Sequence, residues 1–279
     1  MNPPFAKKYH FALLFFGVVL TSAVYAKPLI VIDPGHEPTQ GGTIGTCQQH
    51  EVVYNDEMAQ FVTKALEPTY KVILTRQPEK PVQTDDLSLK NNILPADQIL
   101  WESKKSLLAR PAIANKDHAQ LFIAIHHDSA PAEDQIFDPA LCHSKGGKTL
   151  SPAFTKKFNI GFNIFVDNQE NDPRSQESIL LAENIGKQMI ALGRTPSNYH
   201  VYPGGDCKSC RPIDAKLGVW YENLAVLRNA KMPAVLIEVG NIVDTTDEAK
   251  INNDAFRSQF SVAVKTAVDQ WFNKSSLSQ

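Results

Sequence analysis

His36, His126 and Glu238 each follow a short apolar run: Leu29 to Ile32, Leu121 to Ile125 and Ala234 to Ile237. Each could hold a metal ion or move a proton. A fourth such residue, Glu51, comes fifteen residues after His36, across a loop containing Gly41, Gly42 and Gly45. Two histidines and a carboxylate, with the fourth position left open for water, form a common catalytic zinc arrangement. Imidazole nitrogen and carboxylate oxygen suit zinc's borderline character. A further carboxylate outside the ligand set can then act as general base. Glu238 fits that role, because it closes a strand rather than lying at the end of the loop that carries Glu51. His127 follows His126 directly, and in a strand it points to the opposite face. His127 and His50 are therefore read as structural neighbours of the site, and His118, His143 and His200 receive no role.

These residues need elements to bring them together. The three apolar runs read as buried strands, and Lys71 to Thr75 and Gly161 to Val166 as two more. Met58, Phe61, Val62, Ala65 and Leu66 recur at helical spacing, so a helix is expected to start near Glu51 or Val52. Further helices are expected over about 99–115, with Pro111 interrupting the pattern, over 175–192, closed by Gly193, and near the end of the chain. Between about 128 and 158 the chain is polar and carries Pro131, Pro139, Gly146 and Gly147, which favours loop. Strands alternating with helices predict an α/β fold with a largely parallel sheet. In such sheets ligands bind in the crevice beyond the carboxyl ends of the strands, where His36, His126 and Glu238 arrive.

The chain has 279 residues, 43% hydrophobic and 21% charged, enough for one sizeable core. A net charge of −2 without a long basic run argues against a dedicated nucleic-acid binder. Lys7 and Lys8 precede the apolar run Phe11 to Leu20, which is short for a bilayer span, and Val24-Tyr25-Ala26 has the form of a cleavage site. Residues 1–26 are read as a secretory signal peptide, leaving no stable membrane span after cleavage and placing the protein in a periplasm or outside the cell. In an oxidising compartment four cysteines suggest disulfides. Cys207-Lys-Ser-Cys210 reads as a local disulfide, which leaves Cys47 and Cys142 to pair. Cys47 could also be a soft metal ligand, but the disulfide reading is preferred.

The stretches "IVIDPGH", then "GG" and "G" leading to "E", then "TR", "LFIAIHHDSA" and "MPAVLIEVGNIVD" resemble the zinc-dependent N-acetylmuramoyl-L-alanine amidases of the type-3 family. The resemblance runs, with gaps, across nearly all of residues 27–279. It implies a phosphorylase/hydrolase-like three-layer sandwich with a mixed, largely parallel sheet. It also implies Zn2+ held by His36, Glu51 and His126, with Glu238 as the catalytic carboxylate. The implied reaction is hydrolysis of the amide between N-acetylmuramic acid and the L-alanine of the stem peptide, so the implied partner is peptidoglycan or a muropeptide. Glu238 would take the water's proton and pass it to the leaving amine. No residue pattern identifies an activator protein.

Glu37, Val52 and Asn241 depart from the family pattern, which has glycine, lysine and phenylalanine there. Segments near 77–106 and 128–158 are longer than in a minimal member and are read as loop insertions. A Cys47–Cys142 disulfide would pin the second of them over the site and shape a groove for a glycan strand. Two other readings use the same residues. An exported zinc carboxypeptidase-like hydrolase would call for a convergent arginine, with Arg76, Arg110 and Arg228 as candidates. A non-catalytic peptidoglycan-binding module would need no general base.

Overall fold

The computed structural model describes residues 26–83, 98–143, 145–167, 172–200, 207 and 209–275. The expected signal peptide, apart from Ala26, lies outside them, as do part of the 77–106 segment and the turn Pro203-Gly204-Gly205.

The three apolar runs form strands β1 (Leu29–Pro34), β3 (Leu121–Asp128) and β9 (Ala234–Asn241). They read as continuous apolar runs because both faces of the sheet are covered. On one face Ile30, Ile32, Leu121, Ile123, Ile125, Val235 and Ile237 pack against helices α1 (Glu51–Leu66), α4 (Pro173–Ala191) and α7 (Asp254–Ser275). On the other, Val31, Phe122, Ala124 and Leu236 pack with Ala114 of helix α2 (Gln98–Lys116) and with Val226 and Leu227 of helix α5 (Ala225–Arg228). The result is a three-layer α/β sandwich.

Strands β2 (Lys71–Leu74), β6 (Asn163–Val166), β7 (Arg211–Asp214) and β8 (Val219–Tyr221) complete a seven-stranded sheet of order β2-β1-β3-β9-β6-β8-β7. The pairs β1–β2, β1–β3, β3–β9 and β6–β8 are parallel, while β6–β9 and β7–β8 are antiparallel. The sheet is therefore mixed and largely parallel, as expected.

Two expectations change in detail. Helix α2 runs through Pro111, because Ala109, Arg110 and Ala114 are buried around it and offset the missing hydrogen bond. The polar stretch after β3 is not simply loop. It forms a hairpin of β4 (Gln135–Asp138) and β5 (Gly147–Leu150), then helix α3 (Pro152–Lys157), capped by the Ser151 hydroxyl accepting from the Phe154 N–H at 3.2 Å. Its apolar partners come from elsewhere in the chain. Leu150, Phe154 and Phe158 cluster with Tyr199 and Val243, the latter lying between β9 and helix α6 (Thr245–Ile251). The Cys47–Cys142 disulfide ties the hairpin to the loop before α1, with the two Cα atoms 5.4 Å apart. Cys207 and Cys210 are also joined.

Candidate metal centre

The chain turns sharply after β1. His36 adopts φ of +63°, a left-handed conformation unfavourable for a side chain with a Cβ. Two buried arginines hold the turn. Arg76 donates to the carbonyls of His36 (2.9 Å) and Gly35 (3.0 Å) and pairs with Asp56 at 2.6 Å. Arg110 donates to the Pro34 carbonyl at 2.7 Å and pairs with Asp33 at 2.6 Å and Glu37 at 2.7 Å. Glycine at 35 is required because a Cβ there would fall on the His126 ring. Glycine at 42, φ +74°, is required because a Cβ there would strike His36 and Glu51.

The turn brings the expected ligands together. Glu51, buried as the first residue of α1, lies between the two histidines. Its Oε2 is 2.8 Å from His36 Nε2, and its Oε1 is 3.1 Å from His126 Nδ1. The carboxylate also accepts the Thr43 N–H (3.2 Å), the His127 N–H (3.1 Å) and the Asn55 side-chain amide (3.2 Å). Burial pushes the Glu51 carboxyl up, but hydrogen bonds and charge from His126 and His36 outweigh it and hold it well below the usual range. The two imidazoles meet edge-on, with ring centroids 4.9 Å apart. One donor atom from each of His36, Glu51 and His126 lies within 4.8 Å of the others. Two nitrogens and an oxygen, this close and fixed from behind by Asn55 and backbone N–H groups, fit zinc.

Glu238 belongs to the same crevice but not to that donor cluster. It pairs in register with His126 on one side and Asn163 on the other. Its Oε2 is buried without a hydrogen-bond partner. Burial, and then the carboxylates of Asp128 and Glu51, push its pKa well above the usual range. An acid with an unpartnered buried oxygen and a raised pKa beside such a donor cluster has the character of a proton-transfer group.

The remaining histidines separate. His127 turns to the α1 side, with Nδ1 2.7 Å from Asn55 Oδ1, and burial pushes its pKa down to about 3, so it stays neutral. It supports Glu51 through Asn55. His50 is exposed at the head of α1 and makes no side-chain cap. His200, which the sequence reading left without a role, has Nε2 2.8 Å from Asp128 Oδ2. No periodicity or spacing joins residues so far apart in the chain. Of the three arginines considered as substrate anchors, Arg76 and Arg110 are engaged by the turn, and Arg228 lies on the surface with Asn223. A mostly apolar cavity of about 290 Å3 opens beside the site, lined by His36, His126, Leu107, Leu224, Val226 and Leu236. A second cluster among the described residues, Cys207, Cys210 and Glu222, has its two sulfurs bonded to each other. No helix among the described residues is long and apolar enough to cross a membrane.

The family model for N-acetylmuramoyl-L-alanine amidase matches residues 30–270. An uncharacterized cell wall amidase of Bacillus anthracis is 23% identical over 243 residues, covering 87% of this chain and 35% of the relative. A probable N-acetylmuramoyl-L-alanine amidase, AmiB, of Haemophilus influenzae is 22% identical over 265 residues, covering 90% of this chain and 54% of the relative. The chain thus spans about a third and about half of the lengths of these relatives. The crystal structure of an N-acetylmuramoyl-L-alanine amidase from Clostridium difficile 630 has the same fold, with a TM-score of 0.60 and 18% identity over 89% of this chain and 98% of that one.

Proposed function

The chain belongs to the N-acetylmuramoyl-L-alanine amidase family, and from that premise we propose that it hydrolyses the amide between N-acetylmuramic acid and the L-alanine of the stem peptide in peptidoglycan. His36, Glu51 and His126 would hold zinc. Zinc so held supplies Lewis-acid activation of a carbonyl and of water. Glu238 takes the proton of the attacking water. The reading also makes residues 27–279 an exported catalytic domain that acts in a periplasm or outside the cell.

The single observation that carries the reading is the division of labour at the crevice. Two imidazoles share one carboxylate, and a second carboxylate with a buried, unpartnered oxygen stands beside them outside the donor cluster. That second group gives little reason to favour a purely binding module. A carboxypeptidase-like reading lacks its anchor, because Arg76, Arg110 and Arg228 all serve other contacts. The test is to strip the protein with a chelator, reload it with zinc, and follow solubilisation of purified sacculi. Activity lost on stripping and restored by zinc is the expected result. Equal activity in the stripped protein would overturn the metal assignment.

The disulfide offers a second test. The hairpin it anchors lies against the ligand loop, where the Lys148 N–H donates to the Thr46 carbonyl at 3.2 Å. A hollow of about 290 Å3 lined by Gly42, Thr43, Ile44, Gln135 and Lys148 separates the two. It adjoins the ligands, since Gly42 abuts His36 and Glu51. Phe137 and Ile136 are exposed on the hairpin. A long glycan strand would use this wall, whereas a short muropeptide would not. Cys142→Ser is therefore expected to reduce activity on sacculi several-fold more than on a soluble muropeptide. Equal losses on both substrates would show that the hairpin plays no part in the groove.

A further inference from the structure

Phe137 belongs to none of the apolar clusters of the fold, and at 64% it is more exposed than any other large apolar side chain among the described residues. Singly exposed apolar residues are ordinary, but this one is held in place. The tip of its ring lies over Gly146, at φ +71°, where a Cβ would strike it. The hairpin beneath is fixed to the loop before α1 by the Cys47–Cys142 disulfide. The ring is therefore seated and still presents surface to solvent.

Its neighbours on the hairpin are polar. Phe137 lies two residues from Gln135 along β4 and opposite Lys148 of β5, so these three side chains share one face. Gln135 and Lys148 line the hollow of about 290 Å3, together with Gly42, Thr43, Ile44 and Gln48. Phe137 stands one strand repeat beyond Gln135, about 7 Å. On the loop side, Gly42 abuts His36 and Glu51. The hollow thus joins the crevice to the hairpin. Among the described residues, the side chains of Gln48 and Lys148 make no hydrogen bond or ion pair.

A pyranose has a face rich in C–H bonds and a rim of hydroxyl and acetamide groups. The C–H hydrogens carry partial positive charge and meet the negative face of an aromatic ring, while the rim needs hydrogen-bonding partners. A seated aromatic beside an amide and an ammonium offers both. A protein partner calls for a broader apolar core. This face lacks one: among the described residues Ile44 is its only other exposed large apolar side chain, since Ile136 alternates to the opposite side of β4. We propose that Phe137 is a stacking platform for a sugar ring of the glycan strand, with Gln48 and Lys148 meeting its polar rim. The proposal rests on the amidase reading, which sets a muramoyl group at His36 and Glu51, so that sugars further along the strand reach the hairpin. No bond changes at this subsite. It raises affinity for long strands over short muropeptides.

The experiment has two arms, both with the zinc-loaded full chain and its Phe137→Ala, Phe137→Leu and Phe137→Tyr variants. The first titrates an N-acetylglucosamine hexamer, which carries no stem peptide, and reads binding by calorimetry. Alanine is expected to weaken it about 3- to 10-fold. Leucine should weaken it similarly, because it keeps apolar area without a flat aromatic face, and tyrosine should restore it. The second arm compares kcat/KM on peptide-bearing glycan strands with kcat/KM on a single muramoyl peptide. The ratio should fall by the same factor in the alanine variant, through KM. Wild-type affinity in the leucine variant, or hexamer binding that is absent or indifferent to Phe137→Ala, would overturn the proposal. So would wild-type self-association that Phe137→Ala abolishes with glycan binding untouched, which would assign the patch to a second copy of the chain. A protein inert toward the amide that still binds the hexamer through Phe137 would sink the amidase reading and leave the subsite standing.

Discussion

Replacement of His126 by alanine is expected to abolish stoichiometric zinc binding. The imidazole offers Nδ1 to the same space that Glu51 Oε1 faces from 3.1 Å. Without it, only His36 and Glu51 remain, and two protein ligands compete poorly with water for zinc. The loss should exceed the roughly 10- to 100-fold typical of removing a residue that merely supports a ligand. The fold should survive, because His126 lies at the end of β3, and the buried residues below it, Phe122 and Ala124, are untouched. Metal analysis after gel filtration checks this directly. Full zinc occupancy in the variant would place the metal elsewhere.

Glu238→Gln separates ligand from base. Glutamine keeps the shape of the side chain and removes a charge that burial, Asp128 and Glu51 all disfavour. The variant should therefore fold and keep zinc. Turnover should fall by about 10²- to 10⁴-fold, the usual cost of losing a general base, or about 3–5 kcal/mol in the barrier. Zinc lost together with activity would make Glu238 a ligand. Near-normal turnover by the zinc-loaded variant would remove it from the mechanism.

The site was legible where the chain is buried on both faces. β1, β3 and β9 are central strands, so their apolar runs stand out and their ends mark His36, His126 and Glu238. The edge strand β7 and its neighbour β8 are too short, at four and three residues, to carry such a signal. The hairpin after β3 was hidden because its apolar partners, Tyr199 and Val243, lie far along the chain. The contact of His200 with Asp128 was invisible for the same reason, since nothing in the spacing joins the two.

Two departures from the family pattern became intelligible only in three dimensions. Glu37 accepts from the Val82 N–H at 3.1 Å, from Ser106 and from Arg110, and so joins the turn that carries His36 to α2. Asn241 donates to the Ser129 carbonyl at 2.8 Å and accepts the Val243 N–H at 2.9 Å, bracing the strand end beside Asp128. Val52, where lysine was expected, is simply buried.

The central claim is cleavage of one bond, and the products identify it. Purified sacculi digested by the zinc-loaded protein should yield stem peptides with a new free amino terminus on L-alanine, and glycan strands whose lactyl groups end in a free carboxylate, both read by mass spectrometry. New termini at another peptide bond, with the muramoyl–alanine amide left intact, would contradict the account.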